Sequence, residues 1–257
     1  MTGIDVYTGQ GVIDWRRVAD GGIGFAMIKA SQGRGETKAT KNLRNFADSK
    51  FVYNITEASK TKLKLGVWHW LTARSVAEAE EEADYFLKVI APYRSKITLW
   101  AAADVESETY LADIGKPDLT QITRAFLNRL SKDRYRPMLY TNPNFIKYRF
   151  EPNAFAGTDI WLAHYGVAKP MSVPNLKIWQ HSAGRVAGIK TAVDLDIGYF
   201  EPEKTTYIVG GKYTIKAGDT YSTGKAVPAR LVGTVCTISQ VRTDRILLKE
   251  ISSWVKI

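Results

Sequence analysis

The sequence predicts an α/β protein: an irregular (β/α) barrel with helix-poor last strands, followed by a small C-terminal all-β domain. Three observations lead there. Short apolar segments alternate with amphipathic helical segments through the first half, the pattern of a parallel sheet covered by helices. Polar residues collect at the ends of those apolar segments. After about residue 204 the helical pattern stops and turn-rich β segments take over.

Taken in order, Ile4–Tyr7 reads as a strand. Ile13–Ala19 reads as a short helix with Asp14 as its cap, stopped by Gly21-Gly22. Phe25–Lys29 is a near-continuous apolar run, as expected of a buried strand. A helical region follows over about Lys41–Lys62, then the strand Leu65–Trp70. Ser75 and Glu78 have capping-box spacing, and the helix they start runs to Ile90, with Pro92 beyond its end. The strand Leu99–Glu106 comes next. Asp118–Gln121 repeats the capping pattern, and Leu119, Ile122, Phe126 and Leu130 form a helical stripe. Met138–Tyr140, Asp159–Tyr165, Leu176–Gln180 and Ala192–Asp196 complete about eight strands of a TIM-like barrel over residues 1–204.

In the strand Leu99–Glu106, two acids lie one residue apart. Side chains alternate along a strand, so Asp104 and Glu106 share a face with Trp100 and the small Ala102. Two acids on one face make a poor core, because each buried charge must be paired or neutralised. They suit acid/base chemistry, because like charges push proton affinities apart. Asp5, Lys29, His69, Tyr140, Tyr165, Gln180, His181, Asp194 and Asp196 also fall at or near the C-terminal ends of proposed strands. In an α/β barrel that rim carries the active site.

With these residues assembled, the chain resembles the glycoside hydrolase family 25 muramidases, lysozymes often found in bacteriophage endolysins. Gly3–Val6, Gln10–Trp15 and Phe25–Ala30 match the family's opening pattern, and Asp104-Val105-Glu106 matches its Asp-x-Glu signature. Trp161–Ala163 with Tyr165, Trp179-Gln180 and Val193–Leu195 match its late strands in order, so the resemblance covers about residues 2–200. Three positions depart from the pattern: Ser31-Gln32 in place of a frequent Thr-Glu, the bulky Trp68-His69-Trp70, and Asp196 where Asn is common. Asp194 and Asp196 share a strand face; Asp194 is the one that matches.

The resemblance implies cleavage of the β-1,4 bond from N-acetylmuramic acid to N-acetylglucosamine in peptidoglycan. It implies Glu106 as acid/base, with Asp5, Asp104 and Asp194 completing an acidic pocket. Residues two apart on a strand have Cα atoms about 6.5 Å apart. That lies between the retaining and inverting carboxyl separations of roughly 5–5.5 Å and 6.5–9.5 Å, so spacing leaves the stereochemistry open. Substrate assistance, with the sugar's 2-acetamido group as nucleophile, is favoured by resemblance. Tyr140, Tyr165, Gln180, Lys29, Trp68, Trp70 and His69 are the expected sugar contacts, through stacking and hydrogen bonds. Chitin-like substrates, or wall binding without catalysis, are the competing readings.

No metal or cofactor is expected. The three histidines lack HExxH spacing, and no cysteine lies near them. Cys236 reads as a small buried apolar residue, and a lone cysteine fits folding in a reducing cytosol. No Gly-x-Ser-x-Gly elbow and no phosphate-cradling loop is present. The N-terminus shows no secretory signal pattern, so synthesis in a host cytoplasm and action on the wall after release is the expectation. No apolar run suggests membrane insertion.

Glu201–Lys204 reads as the boundary to a second domain, 205–257. Strands are expected at Tyr207–Val209, Tyr213–Ile215, Val232–Ile238, Arg245–Lys249 and Trp254–Lys256. Ile246–Val255 is similar to the end of bacterial SH3-like wall-binding modules. Tyr213–Thr220 is similar to the start of a LysM repeat, but the helices that repeat needs do not follow. The net charge is +10, and residues 205–257 hold eight Lys/Arg against three Asp/Glu. That excess suits an anionic wall polymer; no aromatic-rich basic motif supports nucleic acid. An extension that only packs on the barrel is the competing reading of this segment.

Overall fold

A computed structural model describes residues 1–34, 44–200 and 207–257. The chain forms two compact units, Met1–Phe200 and Glu201–Ile257. The sequence boundary Glu201–Lys204 lies outside the described residues.

The first unit opens with β1 (Thr2–Val6), α1 (Trp15–Asp20) and β2 (Phe25–Arg34). Asp14 caps α1, its carboxylate accepting from the Arg17 amide at 3.1 Å. The next stretch departs from the expected helical region over 41–62. Its described part holds a strand, β3 (Arg44–Ala47), and only two turns of helix, α2 (Phe51–Ala58); residues 41–43 lie outside the described set. The far end of β2 supplies the ladder that makes β3 a strand, pairing Ser31, Gln32 and Arg34 with Ala47, Phe46 and Arg44. Asp48 then turns the chain into α2 by accepting from the Lys50 amide at 2.8 Å.

β4 (Lys64–Trp70) leads to α3 (Val76–Ile90), capped by Ser75, which accepts from the Glu78 amide at 3.2 Å. β5 is shorter than expected, Ala101–Asp104, and leaves Glu106 just beyond its end. A single helical turn, α4 (Glu108–Leu111), precedes α5 (Lys116–Lys132). Helix α5 starts three residues earlier than the capping pattern suggests: Gly115 holds the cap position. Asp118 sits inside the first turn, where its charge complements the helix dipole. β6 (Pro137–Thr141), β7 (Asp159–Ala163), β8 (Leu176–Gly184) and β9 (Val193–Gly198) follow, with no α-helix between β6 and β9.

β1, β2, β4, β5, β6, β7, β8 and β9 close into an eight-stranded barrel, with β3 appended to β2. Seven of its strands run parallel. β9 corrects the expected all-parallel barrel, because it is antiparallel to both β8 and β1. No helix lies between β8 and β9, so the chain returns as a hairpin, which only an antiparallel pair permits.

Alternation sorts the side chains into two layers. Ala101 and Ala103 of β5, Val105 just past its end, and Ile160 and Leu162 of β7 face the helices. Phe25, Met27, Trp68, Trp100, Ala102, Met138, Tyr140, Trp161 and Ile178 fill the barrel. Glycine is required at Gly66, where a Cβ would stand 2.3 Å from Met27 Sδ. Along β2, β5, β6 and β8 the inward positions change from apolar to polar: Met27 to Lys29, Ala102 to Asp104, Met138 to Tyr140, Ile178 to Gln180. The floor of these strands is therefore largely apolar and their upper rim polar. Trp100 anchors the floor, donating to Asp159 at 2.7 Å with Phe200 edge-on at 4.9 Å.

The second unit is a four-stranded antiparallel sheet in sequence order: β10 (Lys212–Thr214), β11 (Val235–Arg242), β12 (Arg245–Leu248) and β13 (Ser253–Lys256). Tyr213, Ile215, Val227, Cys236, Ile238, Ile246, Leu248 and Val255 form its core. Cys236 is a free, buried thiol within it, as its sequence context suggests. Tyr207–Val209 is not a strand: the segment runs into a turn, and Ile208 and Val209 are exposed with no ladder to join.

Candidate active site

The upper rim holds a pocket of about 520 Å³ lined by Asp5, Tyr7, Trp68, Asp104, Glu106, Tyr140, Asn142, Trp161, Ala163, Tyr165, Gln180 and Asp194. A second hollow of about 390 Å³ shares Tyr7, Trp68, Asp104 and Glu106, and adds Lys29, Trp70 and the 107–109 turn. The two share walls and make an elongated cleft with the Asp104–Glu106 segment at its middle. A larger hollow, about 760 Å³, lies between α1, α2 and residues 186–190. Its acids are already engaged, Asp14 as a helix cap and Glu57 with Lys60 at 2.6 Å. The smaller rim pocket, with its cluster of acids, is therefore the candidate site.

Each acid arrives from a different place. Asp5 ends the inward face of β1, and Asp104 ends β5. Asp194 lies at the start of β9, not at a strand's C-terminal end. Because β9 runs backwards, that start is level with Asp5, its register partner. Asp196 is level with Gly3, one inward step deeper. Both aspartates face inward: Asp194 reaches the pocket, and Asp196 is fully buried beneath it.

Hydrogen bonds fix these groups. The Tyr140 hydroxyl donates to Gln180 Oε1 at 2.9 Å, and Gln180 Nε2 donates to Asp5 at 2.8 Å. Tyr165, 45% exposed, donates to Asp194 at 3.0 Å. Trp161 Nε1 donates to one oxygen of Asp196 at 2.9 Å, while the other is buried without a hydrogen-bond partner.

Burial drives the proton affinities of this set upward, because a carboxylate loses more than a carboxylic acid on leaving water. Asp5 is pushed up to about 8, first by burial and then by Asp194; the Gln180 hydrogen bond offsets part of this, and Glu106 adds a smaller upward push. Asp196 is held well above the carboxylate range by burial and by Asp5. Burial also raises Asp194, with partial offset from Tyr165. Glu106 is raised by burial; the neighbouring Tyr140 hydroxyl pulls it back, Asp194 pushes it up and Lys29 pulls it down. A half-buried carboxyl whose hold on its proton is strengthened, at the mouth of a cleft, is suited to act as a general acid.

The expected sugar contacts fall into three groups. Tyr140, Tyr165, Gln180 and Trp68 line the main pocket. Lys29 and Trp70 line the adjoining hollow, with Lys29 Nζ 5.0 Å from the Trp68 ring and 5.3 Å from the Trp70 ring. His69 does not reach the cleft. Neighbouring strand residues face opposite ways, so it points outward and is fully buried beneath α3. There its Nδ1 meets Ser31 Oγ at 2.8 Å and its Nε2 meets Glu82 at 2.9 Å. His164 and His181 also have local partners, the Met171 amide and Ser182.

Tyr7, Asn142 and Trp161 line the pocket without having been singled out as sugar contacts. Tyr7 and Asn142 each follow a strand end by one residue, and that offset was their signal. Trp161 is the inward residue of a strand already assigned.

The family model described as glycosyl hydrolases family 25 matches residues 4–189. An autolytic lysozyme of Clostridium acetobutylicum is 29% identical over 197 residues, 76% of this chain and 55% of the relative. Lysozyme M1 of Streptomyces globisporus is 30% identical over 207 residues, covering 76% and 66%. The chain thus spans between about half and two thirds of the length of these relatives. Among solved structures, a bacterial lysozyme from Streptomyces coelicolor is 25% identical with a TM-score of 0.64, covering 78% of this chain and 92% of that one.

Proposed function

Because the chain belongs to the glycosyl hydrolases of family 25, we propose that it is a muramidase that hydrolyses the β-1,4 bond between N-acetylmuramic acid and N-acetylglucosamine in peptidoglycan. The observation that carries this reading is the pair Asp104 and Glu106 lining one rim cleft, with burial raising the proton affinity of Glu106. The lysozyme names of the matched relatives point the same way.

In the proposed reaction Glu106 gives its proton to the glycosidic oxygen as the bond to C1 breaks. The sugar's own 2-acetamido oxygen attacks C1, and Asp104 accepts the acetamide N–H to orient it. Glu106, now a carboxylate, takes a proton from the water that opens the cyclic intermediate. Tyr140 and Gln180 hold Asp5 in place and keep the pocket floor rigid. Trp68, Trp70 and Tyr165 offer apolar surface for sugar rings.

The second unit is proposed as an SH3-like wall-binding module, and the whole as an endolysin-type enzyme that reaches the wall after release from the host cytoplasm. Tethering raises the local substrate concentration. Deleting 206–257 should then weaken lysis of whole cells more than cleavage of soluble glycan fragments. Reducing-end analysis of digested peptidoglycan tests the reaction. New muramic acid ends support a muramidase, new glucosamine ends move the cut to the other bond, and no new ends leave only a wall binder.

A further inference from the structure

On the outward face of the second sheet three cations stand in a row. Arg242 of β11 is the register partner of Arg245 of β12, and Arg245 is the partner of Lys256 of β13. Register partners share a face and bring their Cβ atoms to about 4.5–5.5 Å, where like charges repel. The opposite face of the same strands carries Ile246, Leu248 and Val255 into the core, so the cation row faces solvent. Trp254 lies two residues from Lys256 on that face, with the Arg242 and Arg245 guanidinium carbons 5.1 and 5.5 Å from its ring centre.

The acids of this unit do little to neutralise the row. Among residues 207–257 they are Asp219, Asp244 and Glu250. Asp219 accepts from the Tyr213 hydroxyl and the Lys216 amide, both at 2.8 Å, and Glu250 accepts from the amide and hydroxyl of Thr237. Among these described residues only Asp244, in the turn between β11 and β12, comes near, at 3.7 Å from Arg245 Nε. A fold that holds three like charges opposite one another spends stability on the arrangement unless an anion joins them.

We infer that Arg242, Arg245, Lys256 and Trp254 form a binding site for a phosphodiester-linked anionic polymer of the bacterial wall. This rests on the reading of the second unit as a wall-binding module and names its ligand. An evenly spaced row of cations matches a polymer with a repeating negative charge better than it matches a single anion. Guanidinium groups fit phosphate oxygens through paired N–H donors, and their stacking on Trp254 pre-orders them for it. The indole supplies a flat apolar surface for the polyol or sugar between phosphates.

The test compares the full chain with its Arg242→Gln/Arg245→Gln/Lys256→Gln variant. Affinity for poly(glycerol phosphate) should fall at least about tenfold in the variant. Co-sedimentation of the parent with Gram-positive walls should fall similarly after hydrofluoric acid strips phosphodiester-linked polymers. Thermal stability should hold or rise, since repulsion is relieved, and cleavage of soluble glycan fragments should be unchanged. Binding of the polymer by the folded variant at parental affinity would overturn the site. So would undiminished parental binding to stripped walls, which would point to peptidoglycan carboxylates, or equal affinity for duplex DNA, which would reduce the row to a nonspecific basic patch. A parent that binds neither polymer nor any wall would overturn the wall-binding reading of the unit itself.

Discussion

Two polar clusters are buried in the barrel unit, on opposite faces of its strands, and they are built to opposite rules. Outside the strands, Glu82 of α3 sits fully buried among His69, Thr72 and Ser31. It meets His69 Nε2 at 2.9 Å, and accepts from the Thr72 amide and hydroxyl at 3.1 Å. Ser31 closes the other side of the imidazole at 2.8 Å. Burial lowers the His69 proton affinity, so the ring enters this network neutral. Inside the strands, Asp5, Asp194, Asp196 and Glu106 crowd together with all four proton affinities raised. Satisfied burial makes a clamp joining β2, β4 and α3; crowding of acids at the pocket strengthens their hold on protons. The difference separates architecture from chemistry more clearly than burial alone.

The largest expected effect comes from breaking the inner cluster's proposed chemistry. Glu106→Gln keeps the side-chain shape but cannot deliver a proton and recover it from water. Reducing-end release from peptidoglycan should fall by about 10²–10⁴-fold, the typical range for a general acid. The melting temperature should stay near that of the parent. Retained activity in a folded variant would remove Glu106 from the role.

The outer cluster should respond the other way round. His69→Ala takes the imidazole from buried Glu82 and opens a hole against Phe86 and Phe126. A loss of about 3–5 kcal/mol in denaturant unfolding is expected, with turnover per folded molecule little changed. A collapse of turnover at full stability would instead place His69 in the reaction.

A smaller effect, and one of opposite sign, distinguishes Asp5. Its carboxyl releases its proton near 3.8 in the unfolded chain and near about 8 in the folded one. Between those values the folded protein holds the extra proton, so the stability this gives is complete below pH 3.8 and is lost as pH rises to 8. Asp5→Asn has no proton to lose. Each tenfold change in proton affinity is worth about 1.4 kcal/mol, so the variant should gain on the order of a few kcal/mol over the parent by pH 8–9 and little at pH 4. Urea unfolding across that range reads the difference, and equal stabilities at both ends would contradict the buried-proton account. Hydrolytic activity should fall in the same variant, a trade of function for stability.

The inner cluster was the more legible of the two. Asp5, Asp104 and Glu106 stand at or just past strand ends on an inward face, and alternation exposes that placement directly. Glu82 was hidden in the acid-rich run Glu78, Glu80, Glu81, Glu82 and Asp84, which reads as a solvated helix face. Its spacing from Ala79, Ala83 and Phe86 was the available signal, because those residues form the buried stripe. The direction of β9 was not legible, since alternation is the same read either way along a strand. Nor was β3, whose pairing with β2 is supplied from elsewhere in the chain rather than by its own residues. Direction also decides the chemistry: running antiparallel, β9 puts Asp194 at the rim and buries Asp196 below it.

The measurement that bears most directly on the account is a carbon-13 NMR titration of glutamate carboxyl groups in the parent and in Glu106→Gln. The resonance missing from the variant belongs to Glu106. It should titrate above the ordinary glutamate value of 4.5, with burial as the first cause. Titration at or below 4.5 would mean that Glu106 enters the cleft without its proton, and would contradict its assignment as the acid.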